Sequence, residues 1–142
     1  MDDRTARRIV EKASYVRDAV AVLVEKRDSL TLEEYCENRE QRAVVERELQ
    51  TAIEACIDIG ELLLTSTGEP VPETNAAVFH RLSDAELIDE RTATEMARAA
   101  GLRNVLAHQY GTDIDDEDVY NTLQTDLSTF HAYLEAVRER LE

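Results

Sequence analysis

With 142 residues, 43% of them hydrophobic, the chain can fill one core, so residues 1–142 read as a single domain and wholesale disorder is excluded. Thirty-one acids against sixteen bases leave a net charge of −15, which excludes a broad electrostatic grip on nucleic acid. The apolar stretches are brief and broken by charges, and the opening MDDRTARRIVEK lacks the apolar run of a signal peptide, so a cytoplasmic protein without a membrane span is expected.

A first helix is predicted from about residue 3 to 27. Ile9, Ala13, Val16, Val20 and Leu23 form its apolar stripe, opposite Arg4, Arg8, Lys12 and Asp18. The capping-box pattern TLEE at Thr31–Glu34 opens a second helix, which continues through an irregularity near 36–39 to about residue 65. Val45, Leu49, Ala52, Cys56, Ile59 and Leu63 form its stripe, and Val44, Ile53, Ile57 and Leu64 widen it. That breadth suits a central helix with more than one neighbour. Cys36 and Cys56 have the spacing of neither a metal knuckle nor a redox pair, and Cys56 reads as a small buried hydrophobe. TSTGEPVPET at 65–74 holds both prolines and reads as the main loop. A short helix around 75–82 leads to a second capping-box pattern at Ser83–Glu86. Another helix opens near Asp89 and carries Ala93, Met96, Ala97 and Ala100, with Gly111 expected at its C′ position. DIDDED then supplies acidic caps for a last helix, along which Val119, Leu123, Leu127, Phe130, Leu134, Val137 and Leu141 recur. The sum is an all-α, antiparallel up-and-down bundle of four long helices and a short one.

Chemistry concentrates in RNVLAHQYG at 103–111. Arg103 and His108 lie about 140° apart around a helix, a separation that a long guanidinium side chain can close. The dipole of a helix C-terminus favours a cationic imidazole, and histidine is the side chain whose charge changes near neutral pH. Such a pair is the minimum set for cleaving RNA without a metal: the imidazole moves the 2′-hydroxyl proton and the guanidinium stabilises phosphate charge. The same residues could equally form a solvated polar helix end. No glycine-rich phosphate loop and no His/Cys cluster with metal-ligand spacing occurs, so neither a metal nor a cofactor is expected.

The segment resembles the signature of the HEPN superfamily, and specifically of its HepT-like toxins of the HepT/MntA type. The pattern is an arginine, a polar residue, three more, a histidine, any residue and a tyrosine, met at Arg103, Asn104, His108 and Tyr110. The order of a central ERELQTAIEACIDIGELLL helix, a proline loop, FHRL, the motif and DVYNTL is similar as well, from about residue 5 to 140. The resemblance implies a symmetric homodimer whose two motifs build one composite cleft. It also implies a metal-independent ribonuclease toxin, with RNA as substrate and a cognate minimal nucleotidyltransferase as antitoxin. Arg103 and His108 would be catalytic, Asn104 would orient substrate or histidine, and Tyr110 would accept AMP from the antitoxin. An alternative is a non-catalytic HEPN dimer that only binds a nucleotidyltransferase.

Gln50, Glu54, Asp58 and Glu61 form a polar stripe on the second helix. It reads either as a solvated face or as a support in which Glu54 or Asp58 holds Arg103. His80 and His131 read as surface or structural residues, and Tyr15, Tyr35, Tyr120 and Tyr133 as core-edge aromatics, Tyr120 being nearest the motif's exit. No DNA ligand is expected, and any RNA contact must be local and arginine-led. Lys12 and Lys26 are the only lysines, and acid excess with arginine in place of lysine resembles the proteins of salt-accumulating microbes. There the Debye length falls to about 3 Å at 1 M salt and self-repulsion is screened.

Overall fold

Ile9, Ala13, Val16, Ala19 and Leu23 lie at spacings of three and four and bury one face of α1 (Asp3–Ser29). In the computed structural model, which describes residues 1–142, six further helices follow. They are α2 (Leu32–Glu37), α3 (Arg39–Ser66), α4 (Asn75–Asp84), α5 (Glu90–His108), α6 (Asp116–Thr125) and α7 (Leu127–Leu141), with a single 3-10 turn at Gly111–Asp113 and no strand. No helix is long and apolar enough to cross a membrane.

The wide apolar stripe of α3 places it centrally. It packs along α1 on one side and against α4 and α5 on the other, while α7 closes the bundle against α1 and α5. Cys56 is fully buried, and burial pushes its thiol pKa up. Its backbone carbonyl accepts a 2.8 Å hydrogen bond from Tyr133 Oη, which pins α7 to α3.

Two breaks divide what the periodicity presents as continuous helices. Asn38 ends α2 and caps α3, its side chain accepting from the Gln41 N–H at 3.1 Å. The Arg42 guanidinium donates to the carbonyls of Tyr35 and Cys36 at the end of α2, where the Tyr35 carbonyl also accepts from the Asn38 N–H. The second break falls at Asp126. Thr122 and Thr125 hydroxyls donate back to the carbonyls of Asp118 and Asn121, a contact that bends helices. At Asp126 the apolar spacing runs straight through, so periodicity alone does not reveal that break, whereas the break at Asn38 falls in the irregularity expected near 36–39.

Two turn expectations are corrected. Ser83–Glu86 opens no helix: α4 runs to Asp84, and the chain closes with Leu87 N–H on Leu82 C=O at 2.8 Å and Glu86 at φ 60°. The cap of α5 is Asp89, whose Oδ1 accepts from the Thr92 N–H at 2.7 Å. Gly111 is not the C′ residue of α5. That helix ends at His108, Gln109 and Tyr110 are extended, and Gly111 at φ 62° turns the chain only after Tyr110.

Candidate functional site

The apolar face of α5, including Ala93, Met96 and Ala100, locks the helix into the core and fixes where its last two turns emerge. Arg103 lies on the flank that meets α3. Its Nε donates to Glu54 Oε1 at 3.1 Å and its Nη1 to Asn104 Oδ1 at 3.2 Å. Gln50 Nε2 donates to the same Glu54 oxygen at 3.1 Å, so Gln50, Glu54, Arg103 and Asn104 form one network. The Arg103 and Glu54 side chains are 24% and 35% exposed, so the ion pair stands at the protein edge, where such pairs are worth about 1 kcal/mol or less. Its value is positional. Two donors of the fork are committed, and Nη2 donates to no protein group, leaving that edge for an oxyanion.

Asp58, the other carboxylate considered for Arg103, does not reach it. It sits one turn further along α3 and accepts from Lys12 Nζ of α1 at 3.4 Å. His108 is the last residue of α5 and is exposed. The Gln109 N–H closes the helix on Val105 C=O at 2.8 Å. The two extended residues that follow carry Tyr110 outward to 81% exposure.

The other tyrosines differ in kind. Tyr35 and Tyr133 are buried, and burial raises the pKa of both hydroxyls. Tyr120 packs at a tilt against Tyr35 with ring centroids 5.7 Å apart and spends its hydroxyl on the Leu30 carbonyl at 2.7 Å. Tyr15 is about half exposed but belongs to α1. Tyr110 is therefore the exposed hydroxyl of the motif. His80 and His131 are exposed on α4 and α7 and make no hydrogen bond to the motif residues.

Beyond Tyr110 a groove of about 490 Å³ runs to the start of α3, where Arg39 and Arg42 line it. Sequence reasoning did not connect these arginines to the motif, because some seventy residues separate them and no local spacing links them. No group of three or more His, Cys, Asp or Glu side chains is arranged to hold a metal ion. What the motif offers is an imidazole able to take or give a proton, a guanidinium with a free edge, and a reachable hydroxyl.

The family model for ribonuclease HepT-like proteins matches residues 16–137, which include all four motif positions and Glu54. The tRNA nuclease HepT of Aphanizomenon flos-aquae is 29% identical over 118 residues, covering 83% of this chain and 80% of that protein. The mRNA nuclease HepT of Shewanella oneidensis is 26% identical over 90 residues, 63% of this chain and 67% of that protein. Among solved structures, a toxin–antitoxin crystal structure with AMP-PNP superposes with a TM-score of 0.87 at 19% identity, covering 94% of this chain and 98% of that one. The tri-AMPylated Shewanella oneidensis HEPN toxin, in complex with its MNT antitoxin, superposes with a TM-score of 0.85 at 20% identity, covering 98% and 99%. At such identities the structural likeness shows a common fold, while the matched segment extends over most of the sequence. The chain belongs to the ribonuclease HepT-like family.

Proposed function

We propose that this chain is the toxin of a toxin–antitoxin pair, a metal-independent endoribonuclease silenced by a nucleotidyltransferase that places AMP on Tyr110. The observation that carries this reading is Arg103 pinned by Glu54 with one edge free, five residues before an exposed His108, in a chain of a ribonuclease family. His108 takes the 2′-hydroxyl proton of RNA and the 2′-oxygen attacks the adjacent phosphorus. The P–O5′ bond breaks, Arg103 balances charge on the non-bridging oxygens, and a proton returns to the 5′-oxygen. Asn104 orients the substrate or the imidazole. One histidine cannot be base and acid at once, which is a chemical reason for two motifs in one cleft.

A second copy of the chain is the partner that supplies the other motif. The outer face of α5 supports this: Gly101, Leu102 and Val105 border an apolar groove of about 420 Å³ shared with Leu49, Ile53 and Phe130. Val105 is 39% exposed, and a Cβ on Gly101 would meet nothing within 4 Å, so another helix can approach closely. AMP on Tyr110 would add bulk and negative charge beside an anion-binding cleft, blocking RNA. The setting is the cytoplasm, where RNA and ATP are both present.

The net charge of −15 favours the other reading, a dimer that only binds the nucleotidyltransferase. Expression of the chain alone separates the two. Growth arrest and RNA decay are expected from the wild type and not from Arg103→Ala or His108→Ala, with in vitro cleavage retained in EDTA and reduced about 100-fold or more in either variant. Intact RNA with the wild type at matched salt would overturn the nuclease reading. Incubation with the antitoxin and ATP should add whole AMP units to the wild type and none to Tyr110→Phe, read by intact mass.

A further inference from the structure

We propose that the groove between Tyr110 and the start of α3 is a nucleotide subsite that holds one nucleoside monophosphate unit. The proposal rests on the reading of Tyr110 and RNA given above and adds a binding site to it. The groove, about 490 Å³, is of the size that encloses a small ligand. Ala43 and the nearly buried Ile114 give it an apolar floor suited to a planar base. Arg39 stands at its rim, exposed and without an ion-pair partner, as a free cation for a phosphate. Arg42 is held in place instead. Its Nε lies 3.7 Å from Asp116 Oδ2 and its Nη1 bonds the α2 carbonyls, so it presents a fixed guanidinium plane on which a base can stack.

The acids in the groove decide the ligand class. Asp116 and the half-buried Glu46 would repel a bare phosphate, and burial, reinforced by Asp116, raises the Glu46 carboxyl pKa above its usual range. A nucleotide satisfies both halves. Its phosphate meets Arg39, while ribose hydroxyls and an exocyclic amine donate to Glu46 and Asp116, and the Thr112 hydroxyl and Gln109 amide supply further donors and acceptors. Because Tyr110 itself lines the groove, an AMP esterified to its hydroxyl is tethered beside the subsite. An RNA nucleotide flanking the scissile bond offers the same chemistry.

The test is a titration of 5′-AMP into the full-length, isotope-labelled chain. Amide shifts should appear at Gln109, Gly111 and Thr112, with the Kd for AMP rising at least tenfold in Arg39→Glu and in Ala43→Trp, which fills the groove. Absence of shifts, or equal affinity in both variants, would overturn the subsite. Two activity measurements on Arg39→Glu then name the source. A raised KM for RNA in the unmodified chain assigns the groove to substrate, and raised residual cleavage in the AMPylated chain assigns it to the AMP on Tyr110. If neither moves while the wild type cleaves RNA and takes AMP, the groove is overturned as a functional subsite. The titration needs neither catalysis nor modification, so a wild type that cleaves no RNA counts against the toxin reading alone.

Discussion

Glu54 Oε1 stands 3.1 Å from Arg103 Nε and joins two helices whose contributing residues lie 49 apart in sequence. The contact commits one edge of the guanidinium to the protein and leaves the other toward solvent. A free arginine would lose rotamer entropy on meeting each phosphate, whereas this one has lost part of it on folding. On the proposed mechanism, Glu54 is a positioning residue for Arg103.

Glu54→Ala should lower kcat for RNA by about 10-fold to 100-fold, the range for losing a group that orients a catalytic one. Glu54→Gln keeps an oxygen that can accept from Nε and should recover most of the activity. In the Arg103→Ala background, Glu54→Ala should add almost nothing, since the two act through one contact. Full additivity in that double variant would remove Glu54 from the mechanism.

The bundle was legible from period alone where side chains face one continuous core, as along α3 and α7. The break at Asn38 falls in the irregularity that the sequence shows near 36–39, whereas the break at Asp126 was not legible, because the apolar spacing carries on through it while the Thr122 and Thr125 hydroxyls bond back to helix carbonyls. The polar stripe on α3 was visible, but the choice of Glu54 over Asp58 depends on how α1 and α5 cross that helix, which no local pattern encodes. Tyr110 was legible through its motif. Its 81% exposure comes from two extended residues and a left-handed Gly111, where the sequence suggested an ordinary helix end.

Val105→Glu tests the second copy. A carboxylate at this exposed apolar position is harmless in an isolated protomer but is desolvated if another copy covers α5. The dimer Kd should rise about 100-fold or more, with RNA cleavage falling in step as the chain is diluted. Light scattering coupled to size exclusion reads the first effect. An unchanged dimer would place the interface elsewhere.

Salt should stabilise the protein. At net charge −15 the folded chain repels itself, and this repulsion is screened as the Debye length falls from about 10 Å at 0.1 M to about 3 Å at 1 M. The ion pairs lost to the same screening are mostly exposed and worth little. Tm should therefore rise between 0.1 and 1 M NaCl, by roughly 3–5 °C for each 1 kcal/mol gained. A falling Tm would mean that the surface pairs outweigh the repulsion.

Asp89 gives a pH-dependent term with a defined sign. Hydrogen bonds from Thr92, the backbone N–H first, hold its carboxyl below the ordinary value of 3.8. A depressed folded pKa contributes stability that is fully present above the unfolded value and is lost as pH falls through the folded one. Asp89→Asn keeps the cap without the titration, so it should match the wild type within about 0.5 kcal/mol at pH 7 and lose less stability between pH 6 and pH 3. Asp89→Ala should cost about 1 kcal/mol at pH 7. Denaturant midpoints at each pH, compared between matched variants, cancel the parallel contributions of Glu34 and Glu95, which are also depressed.

Gly60 of α3 lies against side chains of α4 and α7. A Cβ there would stand 2.6 Å from Val78 Cγ1, 3.1 Å from Leu82 Cδ1 and 3.2 Å from Tyr133 Oη. Val78 is β-branched and stiff about χ1, and the Tyr133 hydroxyl is held by the Cys56 carbonyl at 2.8 Å, so neither neighbour yields cheaply. Alanine gains about 1 kcal/mol of helix propensity over glycine, while overpacking costs typically 1–3 kcal/mol. Gly60→Ala should therefore destabilise the protein by up to about 2 kcal/mol in chemical denaturation, the steric loss outweighing the propensity gain. Shortening the neighbour should relieve the clash, so Gly60→Ala with Val78→Ala should cost less than the sum of the two single changes. A Gly60→Ala protein as stable as the wild type would show that α4 shifts freely on α3, and the close approach at Gly60 would then have no role in fixing the bundle.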